Sequence, residues 1–505
     1  MTAPFTPYST LRGMMPPTKP SWITDQLDQE RIMSYQLYEQ IYWGVPDTFK
    51  LVARGTEDKP IYLPSGRTII ETVNRFTATD MKVIVQAQTG LTVDDATRSE
   101  YQLVWNNLFK RERFWSKFAG NKRYGLIRGD WLWYIIANPN KPQGSRISIR
   151  PLDPASYFPI WDEDDVDRII GCHIVDVLAD EKGDQYIHKT TYRKGLTVDN
   201  PGPYITVEEA NYKLDEDWQG PKPKPSKVIK PVTTITGITN LPVYHVPNFD
   251  EPANPFGSSE MRGLERIIAA MNQAISDEEL ALALEGLGQY WTDAPPPTDD
   301  DGNVLDWVLG PGKMIEVPIG HQVGRVSGIS SVSSSQDHIK ALQTWMREAA
   351  STPDIAIGSV DVSTAESGIA LAIKMAPMLA HTAEKDTSIV EVHDQMFYDL
   401  QNEWLPTFEQ VSAPDNVEVI AQVGDKVPTD RAASLTELND MLDRSVISRA
   451  YYRSEAAKLG YVFPDSIENE IADDDARNTT NADPFGVRSD AELNGDGGTG
   501  DGQTQ

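Results

Sequence analysis

The apolar positions along the chain alternate between two periods. From Asp25 to Tyr42, Leu27, Ile32, Met33, Leu37, Tyr38 and Ile41 recur at helical spacing. Short β-branched runs follow, and Pro60-Ile61-Tyr62-Leu63 and Lys82-Val83-Ile84-Val85 are expected strands. Ala96 to Lys122 returns to helical spacing, with Leu103, Leu108, Phe114 and Phe118 on one side. Trp131 to Ile136 is aromatic and β-branched, as a strand requires. Residues 147–247 give strands joined by polar turns, among them Lys182-Gly183-Asp184, Asn200-Pro201-Gly202-Pro203 and a Pro221–Pro225 loop.

The second half is more helical. Gly257 to Gly286 carries a stripe of Leu264, Ile268, Met271, Ile275 and Leu282, with Ser258 or Ser259 as N-cap and Glu260 in the first turn. Residues 292–330 are loop and strand, including Trp307-Val308-Leu309 and Met314-Ile315-Glu316-Val317. Ser333 to Ala350 is helical, with Ile339, Leu342, Trp345 and Met346 apolar, and Thr352-Pro353 stops it. A short β-branched stretch, Asp354 to Ser363, precedes a long helix from about Thr364 to Gln410 that Pro377 should kink. Val417 to Ala421 is a strand, helices cover about 429–443 and 448–459, and Gly460 ends the second. The pattern is α+β, and two helices bracket a small β insertion.

Composition narrows the classes. The 505 residues are 39% hydrophobic, enough for a core. Acid outnumbers base 75 to 46, giving a net charge of −29, so a free monomer should not coat duplex DNA or an anionic membrane. The single cysteine, Cys172, excludes an intrachain disulfide and a CxxC zinc site. The proline-broken start has no apolar leader region, and no long uncharged apolar run suggests a membrane span; a reducing cytosol, or a particle assembled there, is expected.

Candidate chemistry is sparse. Trp161-Asp162-Glu163-Asp164-Asp165 could suggest a two-metal site, but consecutive residues on one loop do not converge, so a solvated turn is expected. Leu309-Gly310-Pro311-Gly312-Lys313 lacks the earlier glycine and following Ser or Thr of a phosphate loop. His381 and His393 could share a side of the long helix, but no His pair has metal-ligand spacing. Arg128-Gly129-Asp130 is read as chance. No catalytic, cofactor or metal residue is assigned, and the chain is expected not to be an enzyme.

A more specific signal lies at 241–277. Leu241-Pro242-Val243-Tyr244-His245-Val246-Pro247-Asn248 precedes Pro255-Phe256-Gly257-Ser258-Ser259-Glu260, and the next helix reaches Asn272-Gln273-Ala274-Ile275-Ser276-Asp277. This resembles the portal proteins of tailed bacteriophages of siphophage type, in which a strand, Asn and Phe-Gly-x-Ser lead into a helix ending near Asn-x-x-x-Ser-Asp. Three later segments resemble the family in the same order: Leu309 to Pro318; Thr352-Pro353-Asp354 with Ser367-Gly368-Ile369-Ala370-Leu371; and Ser445 to Gly460 with Glu468 and Glu470. The similarity spans about 27–471.

The resemblance implies a portal fold and a ring, usually a dodecamer, at one capsid vertex. It implies a flexible arm (1–26), an α/β wing (27–256 with 366–428), two stem helices (257–288 and 334–351) interrupted by a small α/β clip (289–333), a tunnel loop (352–365), a helical crown (429–471) and a disordered acidic tail (472–505). Double-stranded DNA would pass the tunnel loop, Asp354, Ile355, Ile357, Gly358, Ser359, Val360, Asp361 and Val362, which carries no Lys or Arg to grip phosphates. Asp277, Glu278, Glu279 and Glu285 are candidates to face the channel, and Pro295, Pro296, Pro297, Asp299, Asp300 and Asp301 to dock partners. Those partners would be the large terminase subunit, a head-to-tail adaptor and a major capsid or scaffolding protein, in a virion assembled in the host cytoplasm. Two alternatives are another head-assembly component and a carboxylate-dependent hydrolase or nuclease using Asp162 and Asp164.

Overall fold

A computed structural model describes residues 25–52, 60–162, 164, 168–195, 204–213, 226–250, 254–287, 289–299, 301–305, 307, 317–326, 333–358, 368–424, 426, 431–458, 461, 467 and 471. The expectations for the 1–24 arm, the Pro221–Pro225 loop, 308–316, Asp300, Ser359 to Ser367, Glu468, Glu470 and the tail lie outside these residues. The chain divides into two compact units, 1–426 and 427–505.

The first unit opens with α1 (Gln26–Trp43), capped by the Asp25 carboxylate on the Leu27 and Asp28 N–H groups and ended by Gly44 at φ +63°. Residues 60–63 are not a strand. The N–H of Ile61 donates to Ser276 Oγ (2.8 Å) and that of Leu63 to Asn272 Oδ1 (2.6 Å), so helix side chains satisfy this backbone instead of a neighbouring strand. Helix α2 (Ser65–Phe76) follows, unforeseen because Pro64 offers no side-chain cap, and it buries Ile69, Ile70 and Val73. Strand β1 (Lys82–Ala87) leads to α3 (Asp95–Glu112) and α4 (Phe114–Arg128). The single helix expected over Ala96 to Lys122 is broken by Arg113 at φ +53°. The break turns Phe114 inward, where it stacks on Phe109 (4.2 Å) and Trp133 (4.7 Å).

Next come β2 (Asp130–Ala137), β3 (Ile147–Leu152), β4 (Tyr157–Trp161), β5 (Ile169–Ala179), β6 (Gln185–Lys194), β7 (Tyr204–Lys213), β8 (Lys227–Thr236) and β9 (Val243–Pro247). One antiparallel sheet has the order β3-β2-β9, and a second is a β4-β5-β6-β7-β8 meander. The Tyr134 and Tyr192 hydroxyls join the two at 2.7 Å. β2 is buried on both faces, because the aromatic cluster covers one side and the meander the other.

Helix α5 (Glu265–Leu287), strands β10 (Gln289–Thr292) and β11 (Val323–Val326), and α6 (Ser333–Ala349) form a helix, antiparallel pair, helix series, with α5 packed on α6. α5 starts later than expected. Ser258, Ser259 and Glu260 precede it in turns, so neither serine is its N-cap. On α6, Leu342 and Met346 are buried, but Trp345 is 54% exposed. Residues 354–357 form a one-turn helix, α7 (Asp354–Ile357), closed by Gly358 at φ +88°, where an irregular β-branched stretch was expected. Helix α8 (Gly368–Asp399) contains Pro377 and continues as a wider π-type winding over Leu400–Glu409. There the buried Glu409 accepts from the Arg146 N–H (2.7 Å), fixing the helix end to the β2–β3 turn. β12 (Val417–Gln422) pairs antiparallel with β1.

His381 and His393 on α8 meet different surroundings. His393 is a core residue: its Nδ1 donates to Ile389 O (2.6 Å) and its Nε2 accepts from Trp133 Nε1 (2.9 Å). Burial holds its pKa down at about 4, so it stays neutral. The second unit contains α9 (Arg431–Asp443) and α10 (Arg449–Lys458), joined by Tyr452 Oη donating to Asn439 Oδ1 (2.8 Å).

Candidate functional site

The residues that carry the family resemblance converge on the root of α5. Gly257 lies against Gly129: a Cβ on Gly257 would sit 2.1 Å from Gly129 O and 2.6 Å from Asn248 N, so only glycine fits. The Asn248 N–H donates to Gly129 O (2.8 Å), and its side-chain amide donates to Ser258 O (2.9 Å). Asp130, fully buried, accepts from Tyr35 Oη and the Gly257 N–H (2.7 Å) and pairs with His245 Nε2 (2.6 Å). Arg128-Gly129-Asp130 is thus a structural corner. A single carboxylate ties α1, β2 and β9 to the segment entering α5.

Glu260 is the second anchor. Its carboxylate pairs with Lys385, lies 2.9 Å from His381 Nε2 and accepts from Asn248 Nδ2 (3.1 Å). Lys385 Nζ also reaches Asn248 Oδ1 (3.1 Å) and sits 3.4 Å from the Phe249 ring centre. Burial works against the Glu260 charge, but Lys385 and His381 outweigh it and hold its pKa down at about 2. Further along, Tyr38 Oη donates to Glu265 (2.6 Å). The Asn-x-x-x-Ser spacing has a structural reason of its own, since Asn272 and Ser276, one turn apart, hold residues 61–63 as described above.

The four α5 acids differ. Asp277 is half-buried and accepts from Gln273 Nε2 (2.9 Å). Glu278 is half-buried and Glu279 exposed. The side chain of Glu285 lies outside the described residues.

In the insertion between α5 and α6, Asp299 organises a tight loop. It accepts from the N–H groups of Asp301 (3.1 Å) and Asn303 (2.7 Å) and from Asn303 Nδ2 (2.9 Å). Those bonds, led by the Asn303 side chain, hold its pKa below the usual carboxylate range. Thr298 bridges to Val304, and the Leu305 N–H donates to Pro297 O (2.7 Å), so Pro295, Pro296 and Pro297 lead into a closed turn. Asp301 is exposed, as are Trp291, Val304, Leu305 and Ile319. This surface is more apolar than its acidic sequence suggested.

At the expected tunnel loop, Asp354 pairs with Arg347, Ala356 is buried, and Gly358 closes the turn. Ile355 and Ile357 are half-buried. Ser359, Val360, Asp361 and Val362 lie outside the described residues.

The remaining candidates have local explanations. Asp162 pairs with Arg168 (3.7 Å) and accepts from the Asp164 N–H (3.2 Å), as a surface turn does. Among the described residues, no group of three His, Cys, Asp or Glu side chains could hold a metal ion. Cys172 is buried on β5, and burial pushes its thiol up to about 12, far from a reactive thiolate. No helix among the described residues is long and apolar enough to cross a membrane.

No family model and no curated protein matches the chain. Among solved structures, it is similar to a chain of the neck of a native GTA particle computed with C12 symmetry. The identity is 12%, the TM-score 0.41, and the match covers 80% of this chain and 91% of that one.

Proposed function

We propose that this chain is a portal subunit, a structural rather than enzymatic protein. Copies form a ring at one capsid vertex, DNA passes through it during packaging and ejection, and the ring receives the terminase and then a head-to-tail adaptor. The observation that carries the proposal is the fate of the motif residues. Asn248, Gly257 and Ser258, which suggested the family, root the start of α5 in the sheets and α8, and Asn272 and Ser276 tie α5 to residues 61–63. A firmly rooted helix, a small β insertion and a returning helix suit a stem that carries a clip at its far end.

On this reading α5 and α6 are the stem, 289–333 the clip, 354–365 the tunnel segment and 429–471 the crown. The ring is a dodecamer, as in the family the motifs resemble, and resides in the virion.

Two variants test it. Glu279 is exposed on α5. Glu279→Lys is expected to leave rings intact and slow DNA passage, because a repulsive wall becomes attractive. Packaging and ejection at wild-type rates would assign Glu279 to a solvated outer face. In the clip, replacing Pro295, Pro296, Pro297 and Asp301 with alanine while keeping Asp299 is expected to weaken pull-down of the adaptor or terminase from whole rings. Undiminished capture of both partners would remove this loop from the docking surface.

A further inference from the structure

Helix α6 presents two unlike faces. Gln343 and Arg347 line a groove of about 390 Å³ formed with α2, α5 and α7. Met271, Met346 and Ile357 make it apolar, and Arg67 and Arg75 from α2 stand beside it. Glu71, between these arginines on the same stripe, is occupied by Tyr42 Oη (2.6 Å) and Arg123 (3.0 Å), and Asp354 is occupied by Arg347. Arg67 rests over the rings of Tyr42 and Trp43. Neither Arg67 nor Arg75 has a carboxylate partner among the described residues. In a chain with 75 acids against 46 bases, two unpaired arginines beside an apolar groove fit an acidic segment with an apolar anchor.

The other flank of α6 carries such a segment. Trp345 is 54% exposed, and Glu348, three residues on and on the same face, is exposed with no cation partner among the described residues. At 3.6 residues per turn, the Trp345–Glu348 face lies roughly 150° around the helix from the Gln343–Arg347 face.

We infer that the Trp345–Glu348 face of one copy docks into the groove of the next copy, with Trp345 on its apolar lining at Leu63 and Ile357 and Glu348 against Arg67 and Arg75. A contact between two different faces is head-to-tail, the kind that forms a ring when its rotation closes, whereas a contact between like faces gives isolated pairs. The exposed Arg67 and Arg75 are also favourable partners for an aromatic face. A duplex would find the wrong surface, because the apolar floor offers nothing to phosphates. The inference rests on the ring reading and adds which surfaces build it.

The test uses full-length protein, with assembly read by native mass spectrometry and sedimentation. Arg75→Glu is expected to raise the concentration at which half the subunits are in rings by about tenfold, and Trp345→Ala by roughly thirtyfold. The charge swap Arg75→Glu with Glu348→Arg is expected to restore assembly. Arg75→Gln, with its thermal unfolding compared to wild type, keeps the result readable if the reversal unfolds the protein. Rings from both single variants at wild-type concentration would overturn the docking surface and leave the ring reading standing. Single variants impaired without rescue by the swap would overturn the pairing. Intact Arg75→Glu rings that lose retained DNA would make the groove a nucleic-acid contact and overturn it too. Wild-type protein that never forms rings would take down both readings.

Discussion

Lys385→Met is expected to destabilise the 1–426 unit by about 3–5 kcal/mol, because it strands the buried Glu260 carboxylate without its main counter-charge. Glu260 and Lys385 side chains are each only 2% exposed, so water cannot replace the missing partner. His381 and Asn248 remain in contact, but Lys385 is the larger of the charges that stabilise the carboxylate. Such a loss is a large fraction of ordinary domain stability. Removing both charges together, with Glu260→Gln and Lys385→Met, is expected to cost much less than the single change. Urea unfolding monitored by tryptophan fluorescence measures all three proteins.

The pH dependence follows from the same pair. The Glu260 pKa is held at about 2 in the folded chain, against an ordinary value of 4.5. A depressed carboxylate contributes stability that is fully present above the unfolded value. In the wild type that contribution is therefore lost as pH falls from about 4.5 through about 2. In Lys385→Met the cation that depressed the pKa is gone while burial still raises it, so the carboxylate takes up its proton at higher pH. The gap between variant and wild type should thus begin to narrow above pH 4.5, as the variant's carboxylate is protonated, and narrow further below 4.5 as the wild type loses its own contribution. Equal unfolding midpoints for wild type and Lys385→Met at neutral pH would show that Glu260 is not an anchor.

The second large effect concerns DNA. Deleting 359–362 is expected to leave rings intact and to reduce packaged particles by more than an order of magnitude. The deletion starts after Gly358 for a structural reason. Asp354 pairs with Arg347, Ala356 is buried and Ile357 lines the α6 groove, so removing those residues would disturb the helix pair itself. Ser359, Val360, Asp361 and Val362 offer DNA no positive charge, so their proposed part is to guide or brake the duplex sterically. Normal particle yield with normal DNA content would sink the tunnel assignment.

Much of the fold was legible because it rests on period and burial. The helical spacing of Leu264, Ile268 and Met271 and the all-apolar Trp131–Ile135 run lead directly to α5 and β2. The failures have physical causes. Ile61-Tyr62-Leu63 has strand propensity, yet Asn272 and Ser276 take its N–H groups from more than 200 residues away, a contact with no local trace. Arg113 adopts a left-handed conformation with no local sequence signal, capping α3 and turning Phe114 into the core. Glu260 resembled a first-turn acid because its distant partner, Lys385, is invisible in a linear pattern. Trp345 fits the apolar spacing of α6 and yet faces outward, because spacing does not tell which side of a helix the rest of the chain covers.

The candidate site divides in the same way. The motif residues around Gly257 and Asn272 were visible as a signature, but their work as anchors was not. The loop at Asp299 looked like a row of free charges, and its carboxylate is instead spent on the backbone of Asp301 and Asn303. Trp291, Val304 and Ile319 in the same insertion are exposed, apolar positions that the acidic run had hidden from view.

The central claim is that copies of this chain build a ring with a passage for DNA. Negative-stain electron microscopy of the purified full-length protein tests it most directly. The account predicts rings with a central hole wide enough for a duplex. Compact particles the size of a single chain, at every protein concentration and ionic strength tried, would contradict it.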